Sequence, residues 1–109
     1  APGADRYCHA QRLHGGVIAA ILDSAGGFAI CHAVVDKHCD ETLEQLGMRF
    51  GRIGTIDLRV DFLRQGIGKA FVATGKVVRL GGRIATTQMT LANDQGEMIA
   101  SGTASFVVS

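Results

Sequence analysis

Residues His14 to Ile30, HGGVIAAILDSAGGFAI, form a helix-length run that is apolar on nearly every side and carries a single charge, Asp23. The spacing predicts a helix from His14 to about Asp36. A helix with no polar face belongs in a core, so the rest of the chain has to be wrapped around it. Four strands offer less cover than such a helix needs. Further strands before Ala1, or a second subunit, are expected to supply the remainder. Asp23 adds its own constraint. A carboxylate among apolar groups must find partners or lose its charge, and its chemistry changes either way. At the start of the helix, His14, Gly15 and Gly16 offer unpaired backbone N–H groups, a ready site for an anion or oxyanion.

After Gly54 the period changes from helical to alternating. Ile56, Leu58, Val60 and Phe62 alternate with Asp57, Arg59 and Asp61, which describes a half-exposed strand. Three more strands are expected near 69–80, 83–93 and 97–108. They are separated by turn chemistry at Gly66-Ile67-Gly68, Gly81-Gly82 and Asn93-Asp94-Gln95-Gly96. The last strand places Met98, Ala100, Gly102, Ala104, Phe106 and Val108 on one face. Residues 40–48 suggest a short exposed helix ended near Gly47, and residues 1–13 an irregular lead-in. The expected fold class is α+β, with one long central helix and an antiparallel meander wrapped around it. Residues 1–109 read as one domain.

Composition excludes several classes. A net charge of +1 with no basic run argues against nucleic-acid binding. Asp23 and the glycines interrupt the best candidate for a membrane span, and APGADRY carries no export signal. Three cysteines form no paired framework, which favours a reduced, cytoplasmic setting. Cys8-His9, Cys31-His32 and His38-Cys39 raise the question of zinc. Adjacent side chains rarely aim at one ion, so no metal is expected. Charged residues make up 19% of the chain, below the usual quarter, which suggests surface buried against other copies.

On the predicted helix Asp23 shares a small face with Ala19, Ala20, Gly26 and Gly27. Such a face admits a partner helix or a ligand, or packs tightly on the sheet with Asp23 bonded to a structural partner. The helix alone does not choose between these. Gly15 and Asp23 lie about 12 Å apart along it, whereas a base and an oxyanion donor must both come within about 3 Å of a reacting group. If both act in one site, they come from different subunits with antiparallel helices, giving a two-fold dimer with two shared sites.

His14-Gly15-Gly16, six residues and then Asp23 resembles the signature of hotdog-fold thioesterases of the PaaI type. GTIDLRVDFLR (54–64) and GEMIASGTASFVV (96–108) resemble that family's strands, so the likeness covers most of 13–108. The longer segment at 37–52 resembles a bacterial subgroup acting on fatty acyl-CoA. The resemblance implies hydrolysis of medium- to long-chain acyl-CoA to free acid and CoA, with no cofactor beyond the CoA of the substrate. It implies Asp23 as general base or nucleophile, the Gly15 amide as oxyanion donor, His14 as a residue shaping the site, and Thr55 as holding the attacking water. Gly16 is a substrate-binding candidate beside Gly15. An acyl-CoA partner also asks for basic groups, for which Arg64, Lys76, Arg79 and Arg83 are candidates, though each also reads as ordinary strand-edge charge. The chain departs from the family at Cys8, where an Asn or Gln is usual and Gln11 is the nearest amide. It also departs in lacking the usual N-terminal helix and strands.

No G-x-S-x-G is present, and Gly66-Ile67-Gly68 does not continue as a dinucleotide fingerprint. Two other readings stay open: a hotdog dehydratase or hydratase driven by His14, and an acyl-CoA-binding protein without turnover. A homodimer or homotetramer is expected. Alternation does not decide whether a tetramer joins helices or sheets.

Overall fold

In the computed structural model, which describes residues 12–109, the apolar run forms helix α1 (Gly15–Lys37), within a residue of the expected limits. His14 is its N-cap, with extended backbone and Nδ1 accepting from the Gly16 N–H at 3.2 Å. One stripe is buried, at four-residue spacing: Ile18, Leu22, Gly26, Ile30 and Val34. Within one chain the helix is therefore not enclosed on every side as expected. Val17 and Phe28 remain 47% and 75% exposed, because the sheet covers only the face resting on it. By length and composition alone α1 would also suffice to cross a membrane, contrary to the expectation above, since one aspartate does not offset so long an apolar run. Here it is the helix that packs on the sheet.

Helix α2 (Leu43–Phe50) begins later and runs further than expected. Thr42 and Gln45 form a reciprocal capping box that sets its start. Gly47 lies inside it, and the helix ends at Gly51 instead. Both carboxylate oxygens of Glu41 accept from the Arg49 guanidinium at 2.7 Å, tying the turn before α2 to its last turn.

The strands are β1 (Arg12–Leu13), β2 (Gly54–Phe62), β3 (Gly66–Ile67), β4 (Phe71–Leu80), β5 (Ile84–Asn93) and β6 (Met98–Val107). The four long ones match the expected segments closely. Their order is β2-β6-β5-β4, all antiparallel. This corrects the meander: β4, β5 and β6 are joined by hairpins, but β2 sits beyond β6, so the chain crosses from one edge to the other after Phe62. Gly66-Ile67, expected as a break, forms a small ladder with Arg12-Leu13. At the β5–β6 turn Gly96 has φ +78°, a backbone conformation in which glycine is at ease.

Ala85, Met89 and Leu91 of β5 and Ala100, Ala104 and Phe106 of β6 meet the α1 stripe to form the core. Met98 is 41% exposed and falls outside the apolar face expected for β6. Glycines allow the helix to approach the sheet closely. A Cβ on Gly75 of β4 would run into the Ala25 carbonyl, and one on Gly26 would lie 3.0 Å from Thr87 Oγ1 and 3.1 Å from Met89 Sδ.

Candidate functional site

Half-buried Asp23 turns from α1 toward the start of β2, where the Thr55 hydroxyl donates to its Oδ1 at 2.7 Å. This pairing depends on an irregularity. Asp57, Arg59 and Asp61 lie opposite Ser105, Thr103 and Ser101, on the sheet face away from α1. Simple alternation would send Thr55 to that face too. A β-bulge between Thr55 and Asp57 inserts Ile56 as an extra residue, so Thr55 comes opposite the core residue Phe106 and faces the helix. Ile56 is left 55% exposed, which corrects its expected place on the inward face with Leu58 and Val60. With its proton committed to Asp23, the Thr55 oxygen still has lone pairs that can accept from a water molecule.

At the other end of β2, Phe62 approaches the start of α1, and its ring lies 3.6 Å from where a Gly15 Cβ would stand. The two glycine amides differ. The Gly16 N–H is engaged by His14 Nδ1, whereas that of Gly15 makes no hydrogen bond among the described residues. By accepting from the Gly16 N–H, His14 Nδ1 acts as the cap of the helix. Gly15 and Asp23 thus attach to opposite ends of one strand, and a single chain does not bring them together.

The basic candidates are also dispersed. Arg64 lies just beyond Phe62, 3.3 Å from Glu97. Lys76 and Arg79 lie on β4, at the opposite edge of the sheet, and Arg83 precedes β5. Cys8 and Gln11, which bear on the departure from the family pattern, lie outside the described residues. Cys31 and Cys39 are free thiols, and burial pushes the Cys31 thiol up from its ordinary range. Among the described residues no group of His, Cys, Asp or Glu is placed to hold a metal ion.

One feature was missed in the sequence. A groove of about 860 Å³ runs between α1 and β4, lined by Val17, Ala20, Ile21, Ala25, Phe28 and Ala29 among others. It lies on the β4 side of α1, away from the Asp23–Thr55 pair. The signal for it was present: a helix apolar all round, resting on a sheet by one stripe, leaves apolar surface uncovered.

Comparison with known proteins gives consistent matches. The profile of the thioesterase superfamily matches residues 10–100. YigI of Escherichia coli, named a medium/long-chain acyl-CoA thioesterase, is 43% identical over 96 residues. That match covers 88% of this chain and 62% of YigI, so the chain spans less than two thirds of its curated relative. A crystal structure from Shewanella oneidensis, described as related to the thioesterase superfamily, superposes with a TM-score of 0.86 at 45% identity. It covers 94% of this chain and 67% of that one. The Escherichia coli PaaI protein superposes with a TM-score of 0.63 at 20% identity, over 91% of this chain and 61% of that one, a likeness of fold alone. The four-stranded sheet with its long helix is the α+β hotdog arrangement expected from the sequence.

Proposed function

The chain belongs to the thioesterase superfamily, and from that premise we propose that it hydrolyses medium- to long-chain fatty acyl-CoA to the free acid and CoA. The observation that carries this reading is the 2.7 Å hydrogen bond from Thr55 to Asp23, which fixes a carboxylate at the edge of the fold with one oxygen left for substrate or water. The name of YigI supports the acyl-CoA class and the chain length.

The working site is formed by two copies of the chain. Asp23 of one and the Gly15 amide of the other flank the thioester, as their separation along α1 requires. The Gly15 N–H, at the positive end of the helix, stabilises the oxyanion. As base, Asp23 takes a proton from a water held with the help of Thr55. The hydroxide adds to the carbonyl carbon, the C–S bond breaks, and the thiolate of CoA recovers the proton. As nucleophile, Asp23 attacks the carbonyl carbon itself and the C–S bond breaks to expel the thiolate of CoA; water then hydrolyses the resulting anhydride to the fatty acid and the free Asp23 carboxylate, and the proton released goes to the thiolate. His14 shapes the oxyanion end by capping the helix with Nδ1. Arg64, near the Gly15 end, is our first candidate for the CoA phosphates. The reaction needs no cofactor, and the free thiols suit a cytoplasmic enzyme.

The test is CoA thiol release across acyl-CoA chain lengths, for wild type and Asp23→Asn in parallel. Release by the wild type, lost in a folded Asp23→Asn variant of unchanged assembly, is expected. Absence of release from every acyl-CoA by the folded wild type, or full activity of Asp23→Asn, would overturn the reading.

A further inference from the structure

Asn93, expected only as a turn residue between β5 and β6, also reaches across to another part of the fold. It is buried, with 6% of its surface exposed, and its side-chain amide makes four hydrogen bonds. Oδ1 accepts from the N–H groups of Gln95 and Glu97 at 3.0 and 2.9 Å, which shapes the turn itself. Nδ2 donates to Glu97 Oε1 and to the Ile67 carbonyl, both at 3.0 Å. The bond to Ile67 leaves the turn for the loop between β2 and β4. Asp94 ties the same loop a second time. Its Oδ1 accepts from the Lys69 N–H at 3.0 Å, and that bond holds its carboxyl below the ordinary carboxylate range.

The tied loop leads to the start of α1. Gly66 and Ile67 form β3 and pair with Leu13 and Arg12 of β1, the two residues before the His14 cap and Gly15. Two glycines permit this layering. A Cβ on Gly68 would stand 2.8 Å from Asp94 Oδ1 and 2.9 Å from Asn93 Cβ. One on Gly66 would stand 2.9 Å from Leu13 Cβ and 3.2 Å from Ile18 Cδ1. The turn, the loop, β1 and the first turn of α1 are thus stacked one on the next.

We propose that Asn93 is a positioning residue for the oxyanion end of the site: its Nδ2 holds Ile67, the β3–β1 ladder carries that constraint to His14, and the Gly15 N–H is aimed as a result. This role rests on Gly15 being the oxyanion donor, as read above. Such a donor has to be fixed before the reaction begins, within about half an ångström of its working place. The buried stripe of α1 begins only at Ile18, and Gly15 and Gly16 bring no side chain to hold the turn before it. The ladder holds that turn from outside, and Asn93 holds the ladder. Asparagine, alone among side chains of its length, offers two donors and two acceptors, and here all four are used. Aspartate in its place would keep both acceptors for the turn and lose both donors. The Ile67 carbonyl would then be unpaired and a carboxylate would face Glu97.

Asn93→Asp therefore separates the turn from the anchor. Amide hydrogen exchange is followed by NMR in wild type and variant, together with kcat and KM for acyl-CoA hydrolysis. The Ile18 N–H closes the first turn of α1 on the His14 carbonyl at 3.0 Å. Its exchange is expected to quicken about 10-fold or more, while that of the Leu46 N–H in α2 stays as in wild type. A misplaced donor acts on the transition state, so kcat is expected to fall about 10- to 100-fold with KM little changed. Quickening confined to residues 93–97, or spread equally over Ile18 and Leu46, would make Asn93 a turn or stability residue and overturn the proposal. So would an unchanged kcat in a variant whose Ile18 amide has quickened. If Asn93→Asp does not fold, Gly68→Ala parts the same two layers through its Cβ and is read in the same way. A wild type without activity toward any acyl-CoA sinks the thioesterase reading, and the exchange rate at Ile18 still decides whether Asn93 sets the start of α1.

Discussion

Gly75→Ala is expected to be the most damaging glycine-to-alanine change among the described residues. The new Cβ meets backbone, the Ala25 carbonyl, and lies 3.3 Å from Ala29 Cβ, and neither can swing aside. Helix α1 would have to rise from β4. Overpacking typically costs about 1–3 kcal/mol, and a rigid obstacle puts this case at the upper end. Replacing a strand glycine returns about 0.5–1 kcal/mol, leaving a net loss of about 2 kcal/mol. Two other glycines calibrate the argument. At Gly26 the obstacles are side chains, Thr87 Oγ1 at 3.0 Å, Met89 Sδ at 3.1 Å and Phe106 Cε1 at 3.3 Å. The gain of about 1 kcal/mol in helix propensity offsets much of that strain, so Gly26→Ala should lose about 1 kcal/mol or less. At Gly47 nothing lies within 4 Å, and Gly47→Ala should gain about 0.5–1 kcal/mol. Urea unfolding at one fixed protein concentration gives the three midpoints, provided the slopes agree. A Gly75→Ala protein as stable as wild type, or an order other than Gly47, Gly26, Gly75 from best to worst, would refute the reasoning.

Thr55→Val keeps the shape and removes the hydrogen bond to Asp23. A bond to a charged group is worth about 1.5–3 kcal/mol, so kcat should fall about 10- to 100-fold with KM little changed, and Thr55→Ser should restore most of it. The Arg49 guanidinium holds the Glu41 carboxyl below the ordinary carboxylate range, with His38 adding a smaller pull. Its contribution to stability is therefore full above the usual Glu value of about 4.3 and lost as pH falls through the lower folded value. Melting temperature measured from pH 6 to pH 3 should fall less steeply in Glu41→Gln than in wild type. A single turnover in ¹⁸O-labelled water separates the two roles of Asp23. Label in the Asp23 carboxylate after hydrolysis marks the nucleophilic route, and an acyl-aspartyl anhydride trapped by hydroxylamine distinguishes that route from the base when the label is in the fatty acid alone.

Much of the fold could be read before any coordinates. The long helix announces itself through an unbroken apolar run, a histidine cap and a lysine at its end, and all of that information is local. The strands emerge from alternation and turn residues for the same reason. Which strands become neighbours does not, because alternation records the face of a residue and not the strand beside it. Thus β2 beside β6, and the small β1–β3 ladder, appear only in three dimensions. The start of α2 is legible in the capping-box spacing of Thr42 and Gln45, a stronger signal than Gly47, which the helix runs through before it ends at Gly51. Asp23 and Gly15 stood out as a charge in an apolar run and a glycine at a helix start. Phe62 beside Gly15, and Phe28 on the wall of the groove, look like ordinary strand and helix hydrophobes in one dimension.

The bulge at Ile56 makes the direction of the Thr55 hydroxyl a matter of counting. The threonine faces Asp23 because one extra residue lies between it and Asp57, and its own chemistry has no say in the outcome. Deleting Ile56 would leave every member of the candidate site in the sequence and still turn the hydroxyl to the far side of the sheet. The length of this short stretch is thus as much a part of the site as the residues in it. A comparison that matches residues by identity alone would pass over the change that disarms the pair.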